Sequence, residues 1–411
     1  MTLFPYPLPA LYNGVMPRTI LHLDLDAFFC AVEETQNPSL RGKAFAVGGK
    51  PNERGVVASC SYAARKMGVR SAMPMSRAVR LCPGLIIVPG RHRLYSEVSK
   101  KVMDILHQQS GLVEQISIDE AFLDISDVRE DPERFARRLQ ARIRDELHLP
   151  CSIGIAANKL VAKIATEVGK ALALKQIKAQ GLAEPPNAVT VVPYGEEAAF
   201  LSPLPAEMLW GVGPKTSQKL SELGIHTIGD IAKWPENELI RLFGENGRDL
   251  SRHARGIDNR PIVTERETKS VSQETTFAVD VTSDKVLEKT LREQSAEVAR
   301  QLRRENLAGR TVRLKIRWPD FTTLTRQITL SNPTDLEEEI AAAALRLMRQ
   351  VRKPNQAVRL IGVGVSGLGA PVRQLSLWEA DHERLRRLQS AVDALQEKYG
   401  REVIHRGEEL P

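Results

Sequence analysis

The 411-residue chain is poor in cysteine, with four, and in aromatic residues, at 5%. Cys30, Cys60, Cys82 and Cys151 are widely spaced and form no C-x-x-C, so neither a zinc site nor a disulfide framework is indicated. A reducing cytosol is the expected compartment, which makes the protein cytoplasmic. No apolar run approaches the roughly 20 residues that span a bilayer, so no membrane partner is expected. The first sixteen residues are apolar and contain several prolines but lack the basic start of a signal peptide. They read either as an N-terminal extension over residues 1–17 or as the product of a start placed upstream of Met16. What is present in quantity is length and positive charge. A chain this long exceeds what one core serves, so roughly two to four domains are expected. The net charge is +7, which favours a polyanionic partner. Basic residues outnumber acidic ones by 13 to 6 over residues 1–100 and by 18 to 14 over residues 264–368. Two separated basic regions are what a grip on a nucleic-acid duplex needs.

Two acidic motifs interrupt the apolar pattern. Thr19-Ile20-Leu21-His22-Leu23-Asp24-Leu25-Asp26 reads as a buried strand ending in acid. Strand residues two apart share a face, which puts Asp24 and Asp26 on one side and Leu23 and Leu25 on the other. Carboxylates at the rim of a core are costly unless a cation, a donor or a proton compensates them. Residues 114–118 and 121–125 read as two short strands, so Asp119-Glu120 lies at their junction and projects from one sheet edge. Three acids meeting there suit two Mg2+ ions, which take hard oxygen ligands and leave room for substrate phosphates. An isolated Asp-x-Asp is more often a helix cap or a solvated pair.

Asp24-Leu25-Asp26-Ala27-Phe28-Phe29, Ser61-Tyr62-Ala63-Ala64-Arg65-Lys66-Met67-Gly68-Val69 and Ser117-Ile118-Asp119-Glu120-Ala121-Phe122-Leu123-Asp124 occur in this order. Together they resemble the motifs of the Y-family DNA polymerases, in the branch of bacterial DNA polymerase IV, from about residue 18 to about residue 378. The resemblance implies an α+β, multidomain right-hand polymerase. It has a ferredoxin-like palm, small fingers, a helical thumb with a helix-hairpin-helix, and an α/β little finger domain. The palm would occupy residues 18–195 with fingers inserted at about 40–85. Strands at 19–25, the acidic hairpin and 151–156, with helices from Ala27 and at 92–109 and 132–147, give the expected β-α-β-β-α-β order.

The resemblance also distributes roles. Asp24, Asp119 and Glu120 would be catalytic and would hold two Mg2+ ions, with the Leu25 carbonyl as a further ligand. Asp26 matches the motif as a ligand or as a structural hydrogen-bonding group. Tyr62 and Arg65 open a short helix whose local reading is a solvated face. The family assigns them to the triphosphate, where a guanidinium fork and a phenol supply donors. Lys170, read in a loop at Gly169-Lys170-Ala171-Leu172, would be a third phosphate contact. Phe28 and Phe29 would line the nucleotide site. By composition an aromatic at position 29 is a core residue. By resemblance it is the steric gate, a ring that leaves no room for a ribose 2′-hydroxyl.

Residues 196–262 change character. Leu209-Trp210-Gly211-Val212-Gly213-Pro214-Lys215 sits between helical stretches and resembles a helix-hairpin-helix, in which Gly211, Gly213 and Lys215 approach a DNA phosphate without reading sequence. Residues 264–368 show a second β-α-β-β-α-β order, with strands near 268–277, 311–318, 323–330 and 358–366 and helices near 284–305 and 335–350. Arg313, Lys315 and Arg317 alternate with apolar residues, so their face lies on DNA or in solvent. Gln374-Leu375-Ser376-Leu377-Trp378 resembles the peptide by which bacterial polymerases bind the sliding clamp, with Gln374, Leu375, Leu377 and Trp378 as contacts. A last helix carries Leu385, Leu388, Val392, Leu395 and Tyr399 at helical spacing.

The expected activity is template-directed, low-fidelity translesion DNA synthesis by a monomer using primer-template DNA, dNTPs and two Mg2+, without a proofreading exonuclease. A metal-dependent nuclease would use the same acids but has no need of Phe29 beside Tyr62 and Arg65. A non-catalytic accessory protein would not need the acids.

Overall fold

The computed structural model describes residues 18–371, 380–400 and 403. The chain divides into two compact units, the first ending at Arg266 and the second beginning at Glu267, with the turn Asn52–Arg54 counted in the second.

The first unit starts with β1 (Ile20–Leu25) and α1 (Phe28–Gln36), followed by a small subdomain of β2 (Phe45–Gly48), β3 (Val57–Cys60), α2 (Tyr62–Lys66), α3 (Met75–Leu81) and β4 (Ile86–Val88). It continues through α4 (His92–His107), β5 (Val113–Gln115), β6 (Glu120–Asp124), α5 (Pro132–Leu147), β7 (Cys151–Ala156), α6 (Lys159–Ala179) and β8 (Val189–Val191). Five short helices close it: α7 (Glu197–Leu201), α8 (Pro214–Glu222), α9 (Ile228–Lys233), α10 (Glu236–Phe243) and α11 (Glu245–Ala254). The main sheet has the order β5-β6-β1-β7-β8, and β2, β3 and β4 form a separate three-stranded sheet. The fifth strand, β8, adds to the four expected; with three residues and Pro193 shortly after, it carries too little pattern to be read from sequence.

Central strand β1 is buried along its whole length because both its faces are covered. Leu21, Leu23 and Leu25 enter one core with Phe28, Tyr95, Leu123, Phe135 and Ile153, under α4 and α5. Ile20 faces the other way, into a core with Phe122, Leu160, Ile164, Leu201 and Ile231. The segments read as palm and thumb therefore share a hydrophobic core. Helix α6 lies close on this second face. A Cβ on Gly154 of β7 would come within 2.1 Å of the Ala162 carbonyl oxygen, so glycine is what permits the approach.

The second unit comprises β9 (Ser270–Val281), α12 (Asp284–Arg304), β10 (Ala308–Arg317), β11 (Thr323–Thr334), α13 (Glu337–Val351), β12 (Val358–Gly369) and α14 (Ala380–Tyr399). Its sheet runs β11-β10-β12-β9, all antiparallel. Val312, Leu314 and Ile316 pack on α12 and α13 residues such as Leu291, Val298, Ile340 and Leu347. On the last helix Leu388, Leu395 and Tyr399 are exposed. That helix is tied to α12 instead by polar contacts: Arg303 Nε donates to Asp393 at 2.8 Å and Arg303 Nη1 to Gln389 at 2.9 Å.

Candidate active site

The register of the main sheet brings the two acidic motifs together. Asp24 is paired with Glu120 across the β1–β6 ladder, and the Leu25 N–H donates to the Asp119 carbonyl at 3.0 Å. Opposed like charges destabilise a sheet, and α6 supplies the compensation. Its Lys163, Glu167 and Lys170 follow one another at helical spacing. Lys163 Nζ donates to both oxygens of Glu120 at 2.8 Å. Lys170 Nζ lies 2.6 Å from Asp24, 3.6 Å from Glu167 and 3.8 Å from Asp26. Lys170 thus lies within helix α6, which corrects the loop expected from Gly169-Lys170. Gly169 serves packing: a Cβ there would meet Thr190 Oγ1 at 2.2 Å.

Each acid has its own setting. Asp26 is 1% exposed, accepts from Ser152 Oγ at 3.0 and 2.9 Å and from the Asn187 N–H at 3.2 Å. Burial raises its pKa to about 6 against the pull of Lys170 and Ser152. Its hydrogen bonds are those of a structural group that fastens the 185–188 segment to the sheet. Burial also raises the Asp24 carboxyl, more strongly than Lys170 lowers it. For Lys170, burial works against the ammonium, but Asp24, Glu167 and Asp26 outweigh it and raise its pKa. Ser117, which sequence reading passed over, organises the hairpin: its hydroxyl donates to Asp119 Oδ1 at 2.6 Å and accepts from the Asp119 and Glu120 N–H groups at 3.2 and 3.1 Å. A serine two residues before a turn acid is a signal for such a turn.

Asp24 and Asp119 open onto a cleft of about 510 Å³, whose lining also includes Leu25, Phe28, Phe29, Tyr62, Arg65 and Lys170. Ala27, with φ 49° in the left-handed region, turns the chain sharply between Asp26 and α1, so that Phe28 and Phe29 begin the helix beside the acids. Phe28 is buried, while Phe29 stays half-buried. Across the cleft, Ser61 caps α2 by accepting from the Ala64 N–H at 3.2 Å. Arg65 stacks on the Tyr62 ring at 5.0 Å and donates to the Cys60 carbonyl at 3.2 Å. Burial and Asp26 push the Tyr62 phenol upward, so it remains a donor. Glu120 does not line this cleft, being turned to Lys163.

Among the described residues no three His, Cys, Asp or Glu side chains converge closely enough to hold a metal ion by themselves. The donor set nevertheless suits a hard cation. Mg2+ commonly takes one or two carboxylates and leaves the remaining positions to water and phosphate, and Asp24 and Asp119 are two carboxyl groups lining the cleft.

The other predicted contacts are not among the residues that line the cleft. Gly211, Gly213 and Lys215 are exposed around the start of α8, with Gly211 at φ 101° and Pro214 in the first turn. Two cations lie over the ring of neighbouring Trp210, Arg260 at 4.6 Å and Lys163 at 5.8 Å. In the second unit Arg313 is exposed; Lys315 pairs with Glu274 at 2.6 Å, and Arg317 donates to Thr323 Oγ1 at 2.8 Å. Gln374, Leu375, Leu377 and Trp378 lie outside the described residues.

The sheets and helices are those of a right-hand polymerase fold. The chain belongs to the Y-family DNA polymerases, in the DNA polymerase IV branch. It matches the impB/mucB/samB family over residues 23–167, that family's C-terminal domain over residues 268–377, and the DNA polymerase-iota thumb domain over residues 207–258. It is 42% identical over 387 residues to DNA polymerase IV of Dehalococcoides mccartyi strain 195, covering 93% of this chain and 95% of that protein. To DNA polymerase IV of Listeria innocua it is 40% identical over 354 residues, covering 85% and 95%. Among solved structures, a Y-family DNA polymerase chimera matches with TM-score 0.74 and 25% identity over 86% of this chain and 99% of that one. An insertion ternary complex of Dbh DNA polymerase matches with TM-score 0.58 and 26% identity over 86% and 99%. The protein is a DNA-directed DNA polymerase.

Proposed function

We propose that the chain performs low-fidelity translesion synthesis at the Asp24–Asp119 cleft, adding deoxynucleotides to a primer without proofreading. The observation that carries this reading is that Asp24, Asp119, Phe29, Tyr62, Arg65 and Lys170 line one cleft. Asp24, Asp119, Glu120 and the Leu25 carbonyl would hold two Mg2+ ions, whose charge acidifies a primer hydroxyl and offsets that of a triphosphate. Tyr62 and Arg65 bind the triphosphate from the helix side, Arg65 through a fork already steadied by its ring contact and its bond to Cys60. Lys170 and Lys163, paired with carboxylates in the ligand-free chain, turn to phosphate or stay as counter-charges once those carboxylates are engaged. Phe29 forms the wall against the sugar and excludes a 2′-hydroxyl. Asp26 is structural, holding Ser152 and the Asn187 N–H.

DNA is held without sequence readout through Gly211, Gly213 and Lys215 at the helix-hairpin-helix and through Arg313, Lys315 and Arg317 on the second unit's sheet. Residues 374–378 bind the sliding clamp, with Leu377 and Trp378 as anchors. The protein works as a cytoplasmic monomer; among the described residues no helix is long and apolar enough to cross a membrane. A running-start primer extension across an abasic site, with and without clamp, tests the reading. Bypass is expected, together with a loss of clamp stimulation in Leu377→Ala plus Trp378→Ala. Arrest at the lesion, or stimulation retained in that variant, overturns the corresponding part.

A further inference from the structure

Behind the ring of Phe29 lies a buried polar link that the proposed reaction does not use. Phe29 and Glu33 are one turn apart on α1, so they share a face; Arg91 and Tyr95 are likewise one turn apart at the start of α4. The two pairs interlock. The rings of Phe29 and Tyr95 stack with centroids 4.3 Å apart and planes at 14°. One turn on, Arg91 Nε donates to Glu33 Oε1 at 2.9 Å, and Arg91 Nη2 donates to Glu33 Oε2. The Tyr95 hydroxyl closes the figure by donating to Glu33 Oε1 at 2.6 Å. His92 meets the edges of both rings, at 5.9 Å from Phe29 and 6.0 Å from Tyr95.

The arrangement is costly unless it does something. Glu33 is 2% exposed, and a carboxylate is buried at this depth only where its hydrogen bonds are made. Ordinary packing at this helix crossing needs no charge, since Tyr95, Phe28, Val102 and Leu106 already form an apolar core there. What the charge adds is direction. A stacked pair slides easily in its own plane, whereas a phenol oxygen fixed to a carboxylate, itself gripped by a guanidinium fork, cannot. The Tyr95 ring is thereby held at one height, and the Phe29 ring rests on it.

We propose that Glu33, clamped by Arg91, is a positioning residue for sugar selection: through Tyr95 it fixes the height of the Phe29 ring against the nucleotide ribose. This rests on the assignment of Phe29 as the wall that excludes the 2′-hydroxyl. Glu33 touches no substrate, and its effect is confined to how sharply deoxyribose and ribose are told apart.

The test measures kcat and KM separately for dCTP and CTP opposite template guanine, for the full chain and for Glu33→Gln, Tyr95→Phe, Arg91→Gln and Phe29→Ala, with a thermal melt of each. Tyr95→Phe keeps the stacked ring and removes only its anchor. Arg91 is half-exposed, so Arg91→Gln reaches the same link with little risk to folding. The expected result is a fall of about tenfold in the dCTP-to-CTP ratio of kcat/KM for each of the three link variants, within the hundredfold that a 1 Å misplacement can cost. That fall arises in CTP use, with dCTP kinetics near those of the parent. Glu33→Gln plus Tyr95→Phe loses no more than either alone. Equal losses for both nucleotides, following a lowered melt, would reduce the link to packing and overturn the proposal. An unchanged ratio in the link variants, alongside a shifted ratio in Phe29→Ala, overturns it as well. If Phe29→Ala also leaves the ratio unchanged, it is the assignment of Phe29 that fails, and the proposal with it.

Discussion

Lys170 in the cleft of the first unit and Arg313 on the sheet of the second are both basic groups read as contacts for phosphate, and their settings differ sharply. Lys170 is largely buried, 2.6 Å from Asp24, in a site where cations and carboxylates already face one another. Arg313 is exposed on a strand whose alternate residues are core. The first setting prepares charge: it keeps acids at a fixed place, Asp24 and Glu120 each beside a lysine, where burial makes charge act strongly. The second setting only presents charge, where salt screens it and where one residue exchanges for another at small cost. The proposed function assigns chemistry to the first kind of region and grip to the second.

The contrast breaks most visibly at Asp24. Asp24→Ala is expected to lower primer extension by about a thousandfold or more, since several kcal/mol of charge stabilisation are removed, while binding of primer-template in a gel-shift assay stays within a few-fold of the parent, a margin of the order set by one surface contact. A comparable free-energy effect, on stability instead of rate, is expected at Glu114. This carboxylate sits 2.7 Å from Lys159, both side chains being 5% exposed, and also accepts from the Val263 N–H and from Arg266 at 2.9 and 2.8 Å. Glu114→Gln should cost about 3–5 kcal/mol at pH 7 in urea unfolding, because it strands a buried ammonium. Burial raises this carboxyl, but Lys159, Val263 and Arg266 outweigh it and leave its pKa below the model-compound 4.5. A lowered carboxyl contributes stability that is complete above its unfolded value and is lost as pH falls through the folded one. The penalty should therefore shrink below pH 4.5, and a pH-independent penalty would contradict the ion-pair account.

Smaller effects sharpen the comparison. Phe29→Ala should raise ribonucleotide incorporation by about ten- to a hundredfold, as expected when one pocket wall is cut back, measured as alkali-labile sites in the product. Arg313→Ala should weaken DNA binding only a few-fold and reduce the slope of log affinity against log salt by about one. A salt slope unchanged in Arg313→Ala would remove that face from the DNA interface.

Much of the site was legible before the fold. The acids were visible because Asp24 and Asp26 end a strand that is otherwise apolar, and the hairpin because Asp119-Glu120 separates two apolar runs. The tightness of α6 against the sheet was not legible. It depends on Gly154 and Gly169, whose use shows only beside the Ala162 carbonyl and the Thr190 hydroxyl they make room for. Lys163, Glu167 and Lys170 fall together only on a helix that runs through Gly169, where a loop was expected. The link from Phe29 through Tyr95 to Glu33 was beyond sequence reading, because 62 residues separate Tyr95 from Glu33 and only the α1–α4 crossing brings them together.

The proposed function places the polymerase chemistry on the acids at the junction of β1 and β6. The most direct measurement compares extension of a labelled primer, with dNTPs and Mg2+, by the full chain and by Asp119→Ala plus Glu120→Ala, each at matched occupancy of the same primer-template. Extension by the parent alone is expected, with DNA affinity retained in the double variant. Extension by the double variant at a rate near that of the parent would contradict it.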